Sequence, residues 1–151
     1  MNGSLMRGLL GFGLVAALTA VSSFAAESIV EGRTAQDRRY IAGGIGLDES
    51  EKMKAEAGDF PLTITVASKS GAYLADSRIR IEDARGTAVL DTKLEAPYLL
   101  VDLAPGKYKV EATLQGQRQT RSVDIAAKLP AKVVFSFDVA GDRVPESAPA
   151  K

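Results

Sequence analysis

Residues 98–114 constrain the fold more than any other part of the chain. Tyr98-Leu99-Leu100-Val101-Asp102-Leu103 reads as a strand. It is followed by Ala104-Pro105-Gly106, where Pro105 presets φ for a turn and Gly106 accepts the positive φ that follows. Beyond the turn, Tyr108, Val110, Ala112 and Leu114 share one side, and Lys107, Lys109, Glu111 and Thr113 the other. This is the clearest period of two in the sequence, and it predicts an antiparallel β protein.

The same alternation recurs at short intervals. Phe60, Leu62, Ile64 and Val66 are expected on one face, with Thr63 and Thr65 opposed. A strand over 77–82 turns Ile79 and Ile81 inward and Arg78, Arg80 and Glu82 outward. Further strands are expected over 88–94, 98–103, 107–114, 117–125 and 132–138, the last with Val133, Phe135 and Phe137 on one face. Seven strands in about eighty residues predict a mainly β, seven-stranded antiparallel sandwich, prealbumin-like or Ig-like, occupying residues 59–138.

Upstream, residues 1–25 read as a signal peptide. Arg7 supplies the positive region, residues 8–21 the apolar run, and Ser23-Phe24-Ala25 a cleavage site after Ala25. The run is short for a membrane span, and an uncleaved anchor is the alternative reading. A periplasmic or secreted location follows, with no membrane span after cleavage. Residues 26–39 are polar and aperiodic and are expected to form a flexible leader. Residues 40–58 hold the Gly-rich segment Tyr40-Ile41-Ala42-Gly43-Gly44-Ile45-Gly46 and a short helix over 48–57. Asp48 and Glu51 are placed for a capping-box-like pair at its start. The glycines lack the preceding parallel strand and following Lys-Ser/Thr pair of a phosphate loop, so a short strand or a bent connector is expected, with Tyr40, Ile41 and Ile45 tucked against the core. Tyr98 and Leu100 alternate away from the sandwich core, and the helix is expected to cover them. Residues 139–151, with Pro145 and Pro149, read as a disordered tail.

Composition removes whole classes of chemistry. The chain of 151 residues has no His and no Cys. The usual general base at neutral pH, the thiol nucleophile and the thiolate metal site are all missing, so Ser-His-Asp, Cys-His and zinc-hydrolase arrangements are excluded. Asp76, Asp83, Asp91, Asp102 and Asp124 stand at strand ends or turns, where Asp is favoured for local hydrogen bonding, and no pair is singled out for carboxylate catalysis. Neither a catalytic residue, a metal ligand nor a cofactor is assigned, and the chain is expected not to be an enzyme. Lys and Arg total 19 against 19 Asp and Glu, so nothing points to nucleic acid.

Gly71-Ala72-Tyr73-Leu74-Ala75-Asp76, Arg78-Ile79-Arg80-Ile81, Gly86 with Val89-Leu90-Asp91, and Asp102-Leu103-Ala104-Pro105-Gly106-Lys107-Tyr108-Lys109-Val110 together are similar to the carboxypeptidase regulatory-like domains. Those are prealbumin-like (transthyretin-like) β-sandwiches. Ala104 stands where that family's "L-P-P-G-x-Y-x-V" stretch has its first Pro. Gly43 to Glu49 also resembles the "G-G-[IV]-G-x-[DE]-E" segment of small exported proteobacterial proteins. The resemblance implies an accessory module and no particular activity. The hydroxyisourate hydrolases of transthyretin-like fold depend on His and a C-terminal Tyr-containing tetrapeptide, and this chain has neither.

These readings lead to a non-catalytic exported binding or scaffolding module that engages another cell-envelope protein, with edge strands open to β-augmentation. The candidate interaction face is Tyr73, Asp76, Arg78, Arg80, Lys107 and Lys109. For the four basic residues the competing reading is a solvated face with salt bridges to Glu82 and Glu111. The alternative function is carbohydrate binding of the starch-binding-like type, with polysaccharide on Tyr73 as the aromatic platform. It is weakened by the absence of Trp.

Overall fold

The structure, a computed structural model, describes residues 29–140. The signal peptide expected at 1–25, the first residues of the leader and most of the tail expected at 139–151 lie outside the described residues.

The elements in chain order are β1 (Val30–Arg33), β2 (Arg39–Gly43), α1 (Leu47–Glu56), a 3-10 turn (Ala57–Asp59), β3 (Leu62–Ser68), β4 (Ser77–Asp83), β5 (Ala88–Leu94), β6 (Tyr98–Val101), β7 (Gly106–Leu114), β8 (Gln117–Ile125) and β9 (Ala131–Phe137). They form a five-stranded sheet in the order β1-β2-β6-β3-β9 and a four-stranded sheet in the order β5-β4-β7-β8. The fold is mainly β, sandwich-like, with one short α-helix.

All seven expected strands are present, and two more precede them. Val30–Arg33, expected within an unstructured leader, is instead a strand paired antiparallel with β2. Its sequence Val-Glu-Gly-Arg carries no apolar alternation because it is an edge strand with one free flank and a half-exposed inner face. The ladders are antiparallel with one exception. β3 and β9 run parallel, from Leu62↔Ala131 to Ser68↔Phe137, which apolar periodicity does not distinguish from antiparallel pairing. The Pro105-Gly106 turn also differs from a hairpin. It carries the chain from β6 in the five-stranded sheet to β7 in the four-stranded sheet.

Between the sheets lies the main core: Leu62, Ile64 and Val66 of β3, Ile79 and Ile81 of β4, Leu99 and Val101 of β6, Val110, Ala112 and Leu114 of β7, and Val133, Phe135 and Phe137 of β9. Tyr108 is buried with them, and its hydroxyl donates to the Ala104 carbonyl at 2.7 Å, latching the sheet-crossing turn. Burial pushes the Tyr108 phenol above its ordinary pKa.

A second core sits on the outer face of the five-stranded sheet, where Ile41, Met53, Phe60, Tyr98 and Leu100 pack together. This is the covering expected of the helix. Phe60 belongs here and not with Leu62, because the chain bends at Phe60 and Pro61 before β3 begins. Leu47, the first residue of α1, is exposed, so Met53 is the helix's main anchor.

Candidate interaction surfaces

The start of α1 shows why the glycines are needed. Gly44 has φ +104°, and a Cβ there would collide with the Tyr98 ring. Gly46, also at positive φ, is the residue flanking the helix, and no side chain caps it; the Asp48 and Glu51 capping pair is not formed. Glu49 does the corresponding work. Its carboxylate accepts from the Gly44 and Ile45 amides at 3.3 and 3.1 Å, while the Ser50 hydroxyl donates to the Gly44 carbonyl at 2.8 Å. The helix thus turns back on its own entry loop, and these two amides are filled by an internal carboxylate.

This loop leads to an apolar rim at one end of the molecule. The Tyr98 ring lies under Gly44 and 5.2 Å, centroid to centroid, from the Tyr73 ring at an interplanar angle of 52°. Burial, reinforced by the hydrogen bond with Tyr73, raises the Tyr98 phenol well above its ordinary pKa. Tyr73 itself is 51% exposed, and Ile45, next to Gly44, is 52% exposed. Ile45 also borders a cleft of about 260 Å³ lined by Val30, Tyr40, Ala42, Thr92, Lys93, Glu95 and Ala96. The cleft opens where β1 and β2 part from β5, and Val30 is 58% exposed at its mouth.

The six residues expected to form one face are divided between two places. Tyr73 belongs to the rim beside Tyr98. Arg78 and Arg80 of β4 and Lys107 and Lys109 of β7 lie on the outer face of the four-stranded sheet. Asp76, at φ +62° just before β4, pairs with Lys93 of β5 at 3.6 Å.

The basic residues do come together, but within an ion-pair network. Arg78 Nε donates to Asp91 at 2.8 Å, and Arg80 bridges Glu82 at 2.8 Å and Asp91 at 3.3 Å. Lys109 Nζ stands 2.7 Å from the other Glu82 oxygen. Lys107 faces Asp124 across the β7–β8 ladder, and Glu111 pairs with Arg118 at 3.5 Å. The hydrogen bonds from Lys109 and then Arg80 hold the Glu82 carboxyl below its usual range, and that from Arg78 does the same for Asp91. The same partners raise Arg78 and Arg80. Of the two acids expected to pair with this face, Glu82 does so and Glu111 meets Arg118 instead, while Asp91 is a further partner. Among the described residues, no group of three or more acidic side chains is placed to hold a metal ion.

The lateral edges are treated unequally. On one side, Gln117 and Gln119 of β8 donate across to the Asp138 and Ser136 carbonyls at 2.7 and 2.6 Å, and the Arg121 guanidinium stands 5.7 Å from the Phe135 ring centroid. On the other side, a single bond from the Ala35 amide to the Val89 carbonyl at 2.8 Å ties the β1–β2 turn to β5. Beyond that tie the two edges diverge and the Val30 cleft opens.

Tyr73 is a candidate from the sequence, Ile45 is exposed and not tucked against the core as expected, and Val30 carries no signal of its own. Val30 follows Ile29 and Ile45 stands between glycines, and neither belongs to a periodic run that would mark its exposure. Among the described residues no helix is long and apolar enough to cross a membrane. No protein-family profile matches the chain, and no curated protein matches it.

Proposed function

We propose that the protein is a non-catalytic exported module that binds another cell-envelope protein through its apolar rim. The observation that carries this reading is the cleft between β1, β2 and β5, walled by Val30, Tyr40, Ala42 and Ala96 and flanked by the exposed Ile45. An apolar wall with a polar side, here Thr92, Lys93 and Glu95, beside an open sheet edge is what a protein partner covers. The salt-bridged outer face of β4 and β7 is poorly suited to this, since a partner there would have to desolvate paired charges.

The fold assignment within this proposal is a carboxypeptidase regulatory-like sandwich over residues 59–138. It is supported by the seven strands in two facing sheets and by the Tyr108 latch on Ala104 in the Ala-Pro-Gly-Lys-Tyr motif. Residues 29–58 add a hairpin and a helix to it.

Crosslinking in intact cells followed by capture of the protein tests the reading. Wild type is expected to yield one dominant envelope protein, and Ile45→Glu to lose it. A dominant partner whose capture is unchanged in Ile45→Glu would remove the rim as the interface, and the absence of any reproducible partner would remove the reading. The half-exposed Tyr73 ring supports a second reading, polysaccharide binding, which requires retention on an immobilised glycan that Tyr73→Ala abolishes.

A further inference from the structure

β1 and β2 pair with Val30↔Ala42, Glu31↔Ile41, Gly32↔Tyr40 and Arg33↔Arg39. Beyond them, the Thr34 amide donates to the Arg38 carbonyl at 2.8 Å. On the other side of β2, the Asp102 amide donates to the Arg39 carbonyl at 2.9 Å, so Arg39 directs its backbone groups toward β6. Antiparallel ladders alternate in steps of two. Thr34, Gly32 and Val30 therefore direct their backbone groups at β2, and Glu31 and Arg33 direct theirs outward. β1 is the end of its sheet, and among the described residues no strand lies beyond it.

The side chains of Glu31 and Arg33 share the outer face with Ile41 and Arg39. Arg33 stands opposite Arg39 across the ladder, a like-charge pair that disfavours this arrangement unless acids intervene. Glu31 meets Arg39 at 2.9 Å, whereas the nearest acid to Arg33 is the exposed Asp37 at 3.8 Å. A carboxylate on the free flank of Arg33 would complete the alternation.

We propose that β1 pairs antiparallel with β1 of a second copy about a two-fold axis at Gly32. In that register Glu31 of each copy faces Arg33 of the other, and those are the residues whose backbone groups point outward. The two pairs would exchange about four backbone hydrogen bonds and form two cross-strand ion pairs. Neighbouring registers fail on the same observations. An axis at Glu31 or at Arg33 sets like charges opposite each other, and an axis between Glu31 and Gly32 pairs outward groups with inward ones. Gly32 at the axis has its inner side filled by the Tyr40 ring, which a Cβ would strike. The two copies would form one continuous ten-stranded sheet, an isologous contact that closes. This pairing does not depend on which envelope protein the rim meets.

Sedimentation velocity of the purified protein over a concentration series tests it. Wild type is expected to self-associate reversibly. Arg33→Glu, which improves the intramolecular match with Arg39, should stay folded and associate about tenfold more weakly or worse, because two carboxylates would then face each other in both cross-strand pairs. A mixture of Arg33→Glu and Glu31→Arg chains should form a heterodimer, since both of its cross-strand pairs set a carboxylate of the first chain against a guanidinium of the second. The inference is overturned if wild type remains monomeric throughout, if Arg33→Glu associates like wild type, or if the folded single variants fail to associate when mixed.

Discussion

Met53→Ala tests whether the N-terminal segment is part of the folded unit. Met53 is 1% exposed, and its thioether packs among Ile41, Phe60, Tyr98 and Leu100 on the outer face of β2 and β6. Truncation removes three side-chain heavy atoms at about 0.8 kcal/mol each, plus a cavity contribution that a small, helix-covered cluster relaxes only partly. The expected loss is about 3 kcal/mol, or about 10 °C in melting temperature for a domain of this size. Urea titration followed by far-UV circular dichroism reads the midpoint and slope. Leu47→Ala on the same helix is the control: Leu47 is 72% exposed, and its loss should cost less than about 0.5 kcal/mol. Equal midpoints for the two variants would refute the reasoning, because α1 would then not be docked through Met53.

The sheet contacts can be tested in the same way. Tyr108→Phe removes the 2.7 Å bond to the Ala104 carbonyl from a part-buried site and should cost about 1 kcal/mol by urea titration. Glu82 and Asp91 are depressed by Lys109, Arg80 and Arg78, so their stabilisation is present above the unfolded carboxylate value, about pH 4, and is lost as pH falls through their lower folded values. The Glu82→Gln, Asp91→Asn double variant should therefore be less stable than wild type at neutral pH and lose less on acidification. Identical pH profiles would show that the network contributes nothing.

Much of the architecture was legible because burial imposes a period. In β3, β4, β6, β7 and β9 alternate apolar residues face the space between the sheets, and Tyr98 and Leu100 alternate against Leu99 and Val101 because a second apolar layer lies behind them. Elements governed by something other than burial were hidden. β1 is held by ladder hydrogen bonds to β2 and by the Glu31–Arg39 pair, which leave no apolar signature. The parallel sense of β3 and β9 leaves no trace in the apolar period, which is two for either sense. Phe60 misled because a period of two holds only inside a strand, and the bend before Leu62 resets it.

The candidate face was less legible for a related reason. Arg78, Arg80, Lys107 and Lys109 do share a face, as their alternation implied, and Glu82 pairs with Arg80 and Lys109, but the other acidic partner, Asp91, comes across the sheet from β5. Tyr73 reads as a neighbour of Asp76 in sequence, yet it folds back onto Tyr98 through a bridge to Ala67 on β3.

Residues 29–59 and 62–137 are expected to form one cooperative unit, with β6 in the middle of a sheet to which the N-terminal hairpin contributes. Native-state hydrogen exchange tests this directly. The amides of β2 and β6 that lie in the β2–β6 ladder are expected to exchange in the same slow class as the core of β7, through global opening. Fast exchange of β2 and α1 amides beside slow exchange in β7 would show the N-terminal segment to be a loosely attached arm, contradicting the claim.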